Sequence, residues 1–180
     1  PTHNQNLSQN ARRRRFSLSL SHHHREISKM EYKSTRGGIS NVSFEFAVRA
    51  GLAPDGGLFV PQNGIPRFSN QKLKNMRESS FSELALNVMS EFVGEKEIPR
   101  QDLKKLIERT YATNKSFRDP KITPVVSLDS TTQPKIMELF HGPTYAFKDV
   151  ALQFLGNLFE YFLQRDSKSN SITILGATSG

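Results

Sequence analysis

One lysine at the start of a predicted helix is the strongest candidate for chemistry in this 180-residue chain. Lys148 lies in the run Phe140-His141-Gly142-Pro143-Thr144-Tyr145-Ala146-Phe147-Lys148-Asp149-Val150-Ala151, where a strand end passes into a first helical turn. A cation at that position opposes the helix macrodipole and loses roughly 0.3 to 1 kcal/mol, whereas the adjacent Asp149 is favoured there. Helix propensity therefore does not account for Lys148. On a helical wheel Phe147, Val150, Ala151, Phe154, Leu155, Leu158, Phe159 and Phe162 form one apolar stripe. Lys148 falls about 50° from the centre of that stripe, so its side chain is expected to face inward. A lysine partly desolvated near positive dipole ends has its neutral amine favoured, the form that attacks an aldehyde and makes an imine. A lysine in such a place also serves simply by laying its stem along apolar surface while its ammonium reaches water. Spacing alone leaves both uses open.

A second motif closes the chain: Ile172-Thr173-Ile174-Leu175 is an apolar strand pattern that enters the small, hydroxyl-bearing turn Gly176-Ala177-Thr178-Ser179-Gly180. Turns of this composition expose backbone N–H groups to a carboxylate or phosphate, and they also close sheets with no ligand at all. His141 has the chemistry of a general acid or base, and beside Gly142-Pro143 it equally suits a turn-capping role. His22, His23 and His24 are adjacent in a polar segment and lack the spacing of a dedicated metal site, so no metal is expected.

The elements that must position these residues follow from periodicity. Ile136 to Phe140 reads as a strand, Phe147 to Leu163 as a long helix and Ile172 to Leu175 as another strand. A strand, helix, strand unit normally joins parallel strands by a right-handed crossover, with sites beyond the strands' carboxyl ends. Upstream, Ser43 precedes Phe44, Ala47 and Val48, and Gly51 follows, which predicts a short capped helix. The turn Pro54-Asp55-Gly56-Gly57 then leads into a strand at Leu58-Phe59-Val60. Two further helices are predicted, one through Phe81, Leu84, Ala85, Val88, Met89 and Phe92, the other through Leu103, Leu106 and Ile107 after Pro99. Residues 30 to 120 assemble no obvious catalytic cluster, and their aromatic positions suit a core.

Composition narrows the classes. Hydrophobic residues make up 36% and charged residues 23%, a balance that permits a packed core. No apolar run approaches the roughly 20 residues that cross a bilayer, so no membrane association is expected. The absence of cysteine removes disulfide and thiolate chemistry and fits a cytoplasmic setting. The net charge of +8 is concentrated at one end: residues 1 to 29 carry six basic residues and one acid, leaving +3 for the rest. A solvated basic arm explains that distribution better than a nucleic-acid groove, so no nucleic-acid partner is expected. The arm is polar, Ser-rich and acid-poor, reads as disordered, and matches the composition of an organellar transit peptide as well as that of upstream or foreign sequence.

Four strings taken together carry a family resemblance: Tyr32-Lys33-Ser34-Thr35-Arg36-Gly37, Asp55-Gly56-Gly57-Leu58-Phe59-Val60-Pro61, His141 to Gln153, and Gly176-Ala177-Thr178-Ser179-Gly180. In that order, over residues 31 to 180, the chain resembles threonine synthase, in the longer branch found in fungi and many bacteria. The resemblance implies an α/β protein of the fold-type II pyridoxal-phosphate class. A small amino-terminal domain at residues 30–120 would follow a basic arm at 1–29, and residues 121–180 would begin the parallel-sheet cofactor domain. It further implies that Lys148 holds pyridoxal 5'-phosphate as a Schiff base and moves protons among the substrate carbons. Thr178, Ser179 and Gly180 match the loop that approaches substrate or cofactor. The expected reaction converts O-phospho-L-homoserine and water to L-threonine and phosphate. The neighbouring activity, a phospho-lyase that releases 2-oxobutyrate, keeps the same lysine, and a non-enzymatic binding module is the remaining alternative. The family's later phosphate-binding loop would lie beyond position 180, so a chain of this length alone is expected to be inactive.

Overall fold

The computed structural model describes residues 30–111, 116–128, 134–166, 171–173 and 175. The arm 1–29, with His22 to His24, and the turn Thr178-Ser179-Gly180 lie outside the described residues. In chain order the elements are β1 (Tyr32–Ser34), α1 (Phe44–Ala50), β2 (Phe59–Pro61), α2 (Asn70–Asn75), α3 (Phe81–Met89), α4 (Arg100–Thr110), β3 (Val125–Ser127), β4 (Lys135–Met137) and α5 (Asp149–Arg165).

Local signals explain most of these. The Ser43 hydroxyl accepts from Phe46 N–H at the start of α1, and Gly51 ends the helix at φ +68°, a conformation that costs other residues more. Ser80 and Glu83 form a reciprocal capping box at the start of α3. The six-residue α2, capped by Ser69, was not anticipated; it buries no side chain and so leaves little periodic signature. The strands β1 and β3 were likewise not anticipated, since three residues are too few to show alternation.

The described sheets are both two-stranded and antiparallel, β1 with β2 and β3 with β4. Val125, Val126 and Ser127 pair with Met137, Ile136 and Lys135. The parallel crossover expected around α5 is therefore not present among the described residues: β4 turns back on β3, and residues 171–173 and 175 carry no strand. The partner strand expected at Ile172 to Leu175 lies partly outside the described residues.

One core draws on both sides of position 120. Ile98, Leu103, Ile107, Phe117 and Ile122 join Phe154, Leu158 and Phe162 of α5, and each of these eight is buried. The Tyr111 hydroxyl donates to the Val150 carbonyl at 2.9 Å and its ring lies parallel to that of Phe154, so the end of α4 is fastened to the first turns of α5. Burial pushes the Tyr111 phenol up to about 12. Near the other end of α5, Arg165 donates to Glu45 of α1 and to the Glu97 carbonyl. Glu97 in turn accepts the Phe44 and Glu45 N–H groups at 3.1 and 3.0 Å. The amino-terminal module thereby grips α5 along much of its length.

The first two family strings interlock. Asp55 accepts from the Ser34 hydroxyl at 2.7 Å, from Gly57 N–H at 2.9 Å and from Gly38 N–H at 2.8 Å. A Cβ on Gly57 would stand 2.2 Å from the Ser34 hydroxyl, so the glycine is a packing requirement. The Ser34 hydroxyl, followed by the Gly57 amide, holds the Asp55 carboxyl below the usual carboxylate range. A depressed carboxyl contributes stability that is present above its unfolded pKa and is lost as pH falls through the folded value. Asp55→Asn, which turns an amide against Gly38 N–H, should therefore lower the melting temperature of the full-length protein at neutral pH. The gap from wild type should close on acidification below about pH 4. A gap that stays constant from neutral to acid pH would show that charge on Asp55 is not what holds the two loops.

Candidate active site

The Lys148 site is built from a turn and a helix start. Phe140 stacks on His141 with ring centroids 4.6 Å apart, and His141 Nε2 lies 2.7 Å from Glu138 Oε2. Glu138 N–H donates to the Pro124 carbonyl, which ties the end of β4 to the start of β3. His141 is thus engaged with Glu138 in bracing the turn, in keeping with its turn-capping use.

Gly142 is buried against Asp149: a Cβ at Gly142 would stand 2.4 Å from the Asp149 Cβ. That atom sits next to the backbone and cannot swing away, so any larger residue would push the turn off the helix. Asp149 itself is 3% exposed and accepts from Thr144 N–H at 2.8 Å and from the Thr144 hydroxyl at 2.9 Å. Its place in the first turn is dipole-favoured, as the sequence predicts, yet its main use is to bind the preceding loop to the helix. Tyr145 lies between these anchors with φ +62°, a left-handed conformation that a bulky side chain rarely adopts.

Lys148 occupies the N-cap position of α5 in helical geometry, and its carbonyl accepts from Ala151 N–H at 3.1 Å and Leu152 N–H at 2.8 Å. Its side chain caps nothing and has no ion-pair partner among the described residues. The inward orientation expected from the helical wheel is not what the structure shows: Lys148 is exposed. Phe147, on the same predicted stripe, is 65% exposed, and Leu152 is 52% exposed. The apolar stripe is partly buried at Val150, where it packs against the core, and buried side chains begin at Phe154, whereas Phe147 and Lys148 lie outside this cover. Within the described residues, then, the burial expected for Lys148 is not supplied.

In the chain before and just after Lys148, Val125, Met137, Phe140, Tyr145, Phe147 and Leu152 are each at least half exposed. An open cleft of about 360 Å³ between α1, α3 and α5 is lined by Phe44, Met89, Phe92, Leu152 and Leu155 and offers almost no polar surface for chemistry. The described residues contain no cluster of three metal-ligating side chains. No helix in them is long and apolar enough to cross a membrane.

The residues that matter most to the turn and that motif reading did not single out for it are Asp149, Gly142 and Arg118. A carboxylate five residues after the threonine of a Pro-Thr turn hints at the first of these. Arg118 sits 24 positions upstream in irregular chain, where no local pattern could connect it to Gly142.

Comparison with known proteins covers most of the chain. A family model described as "Threonine synthase N terminus" matches residues 31–111. The chain is 50% identical over 159 residues to a threonine synthase of Schizosaccharomyces pombe, covering 85% of this chain and 30% of that protein. It is 42% identical over 151 residues to threonine synthase-like 2 of Xenopus laevis, covering 84% and 30%. Among solved structures, yeast threonine synthase superposes with a TM-score of 0.69 at 49% identity over 77% of this chain and 27% of that one. The PLP-bound threonine synthase of Brucella melitensis also gives a TM-score of 0.69, at 40% identity over 76% and 28%. The chain spans about 30% of the length of the curated relatives it matches. The mixed helix and strand fold corresponds to the amino-terminal region of those threonine synthases. With sequence motifs, family model and solved structures agreeing on one region, the chain aligns with the amino-terminal part of threonine synthases, and residues 31–111 match the amino-terminal model of that family.

Proposed function

We propose that the full-length protein is a threonine synthase that converts O-phospho-L-homoserine and water to L-threonine and phosphate, with pyridoxal 5'-phosphate held covalently at Lys148. The observation that carries this reading is Lys148 itself: an amine without an ion-pair partner among the described residues, on a helix start whose backbone is tied down on both sides. Those residues fit such a group, since Lys148 is exposed and the adjacent Phe147 offers flat apolar surface to a ring. When bound, the cofactor supplies an electron sink for charge that develops on the substrate carbons. Lys148 Nζ has two tasks: it holds the cofactor at rest, and once released it takes and returns protons at the substrate carbons. The positive end of α5 beside it favours negative charge on bound groups. Thr178, Ser179 and Gly180 are proposed to receive the substrate carboxylate through backbone and hydroxyl donors. The cytoplasm is the proposed location, or an organelle if residues 1–29 act as a transit peptide.

Similarity to threonine synthase-like 2 favours one second reading, a phospho-lyase that uses the same lysine and releases 2-oxobutyrate. Product analysis separates the two. The full-length protein, supplied with pyridoxal phosphate and O-phosphohomoserine, is expected to give threonine as its main product. Formation of 2-oxobutyrate alone would move the protein to the lyase reading, and neither product would sink both.

A further inference from the structure

We propose that Arg118 is a positioning residue for Lys148, holding the strained turn from which α5 begins. The inference rests on the reading of Lys148 given above.

Arg118 lies outside every helix and strand and is exposed, so core packing does not explain it. It meets the turn at three points. Its main-chain N–H donates to the His141 carbonyl at 3.0 Å, its guanidinium donates to the Gly142 carbonyl, and the guanidinium carbon lies over the Tyr145 ring, 4.0 Å from its centroid. A planar guanidinium can donate from its edge while stacking with its face; an ammonium cannot do both. Tyr145, at φ +62° and three residues before Lys148, occupies a conformation that persists only when its surroundings impose it. Asp149 supplies the opposing anchor through Thr144. The turn is thus clamped from the upstream loop by Arg118 and from the helix by Asp149. Release of the Arg118 side lets Tyr145 relax and lets the first turn of α5 shift. A displacement of about 1 Å at a reacting group costs on the order of 100-fold in rate.

The test uses the full-length protein carrying Arg118→Gln, Arg118→Lys or Tyr145→Leu. In each, kcat is expected to fall roughly 10- to 100-fold with KM changed by less than about threefold. Arg118→Lys should recover only part of the loss. The Arg118→Gln, Tyr145→Leu double variant should be no worse than the poorer single one, because both remove the same clamp. In the cofactor-free protein, amide exchange across residues 141–149 should quicken by about tenfold while that of α3 and α4 stays unchanged. Borohydride treatment of the loaded wild type should fix the cofactor on Lys148. If Lys148 is labelled but Arg118→Gln leaves kcat and exchange within about twofold of wild type, the inference fails and the reading of Lys148 stands. Exchange that quickens throughout α3, α4 and α5 would make Arg118 a general stabiliser and also overturn the inference. An unlabelled Lys148 in wild type would remove both.

Discussion

Lys148→Ala in the full-length protein should lower threonine formation by on the order of 10³-fold or more, because on the proposed reading it removes both the covalent tether and the proton carrier. Stability should hardly change. Lys148 is exposed, makes no ion pair among the described residues and sits at the wrong end of the helix dipole. Surface changes of that kind stay within about 0.5 kcal/mol, and here removal of the cation leans toward stabilisation. Both quantities must be measured, the thermal midpoint on cofactor-free protein so that loss of bound cofactor does not mimic unfolding. Activity retained within tenfold would end the case for Lys148. A midpoint that collapses together with activity would show that the residue matters to the fold and not to the chemistry.

The second large effect lies at the far end of the same helix. Phe162 is 1% exposed and meets Phe44 of α1 edge-on at 6.5 Å and Tyr161 at 5.8 Å, with the Arg165 guanidinium 5.4 Å from its ring. Truncation to alanine removes most of a buried ring and leaves a cavity walled by elements from both halves of the chain. The expected cost in the full-length protein is about 3 to 5 kcal/mol by chemical denaturation. Phe162→Leu, closer in volume, should cost about half as much or less. A loss below about 1 kcal/mol for the alanine variant would mean that α1 and α5 are not held together by this contact. The measurement also bears on function, since the grip of α1 on the end of α5 helps to fix the helix whose start carries Lys148.

Most elements and the candidate lysine were legible in the sequence for identifiable reasons. Helices α1 and α3 carry serine caps, α3 and α4 carry apolar residues at helical spacing, and α5 shows a stripe long enough to be unambiguous. The family strings located Lys148 and the Asp55-Gly56-Gly57 turn, and the structure adds the reason for the latter, a carboxylate that ties two loops together. Short elements without burial, such as α2, left no periodic trace. The expected parallel pairing around α5 rested on the order of elements alone, and order does not say which strand a segment reaches first.

What the sequence determined by itself is the local and the chemical: where helices start, which face of α5 is apolar, and which residue is the candidate for an imine-forming amine. Those properties depend on neighbours within a few positions, through caps, dipoles and periodicity. What only the tertiary structure decided is how far along α5 that apolar face is covered and what holds the turn before it. Buried side chains begin at Phe154 because the stripe joins the core there, and Lys148 lies outside this cover. The Arg118 clamp on Gly142 and Tyr145 joins residues separated by more than 20 positions of chain. Contacts of that range are set by how packed elements meet, and no pattern in the intervening residues encodes them.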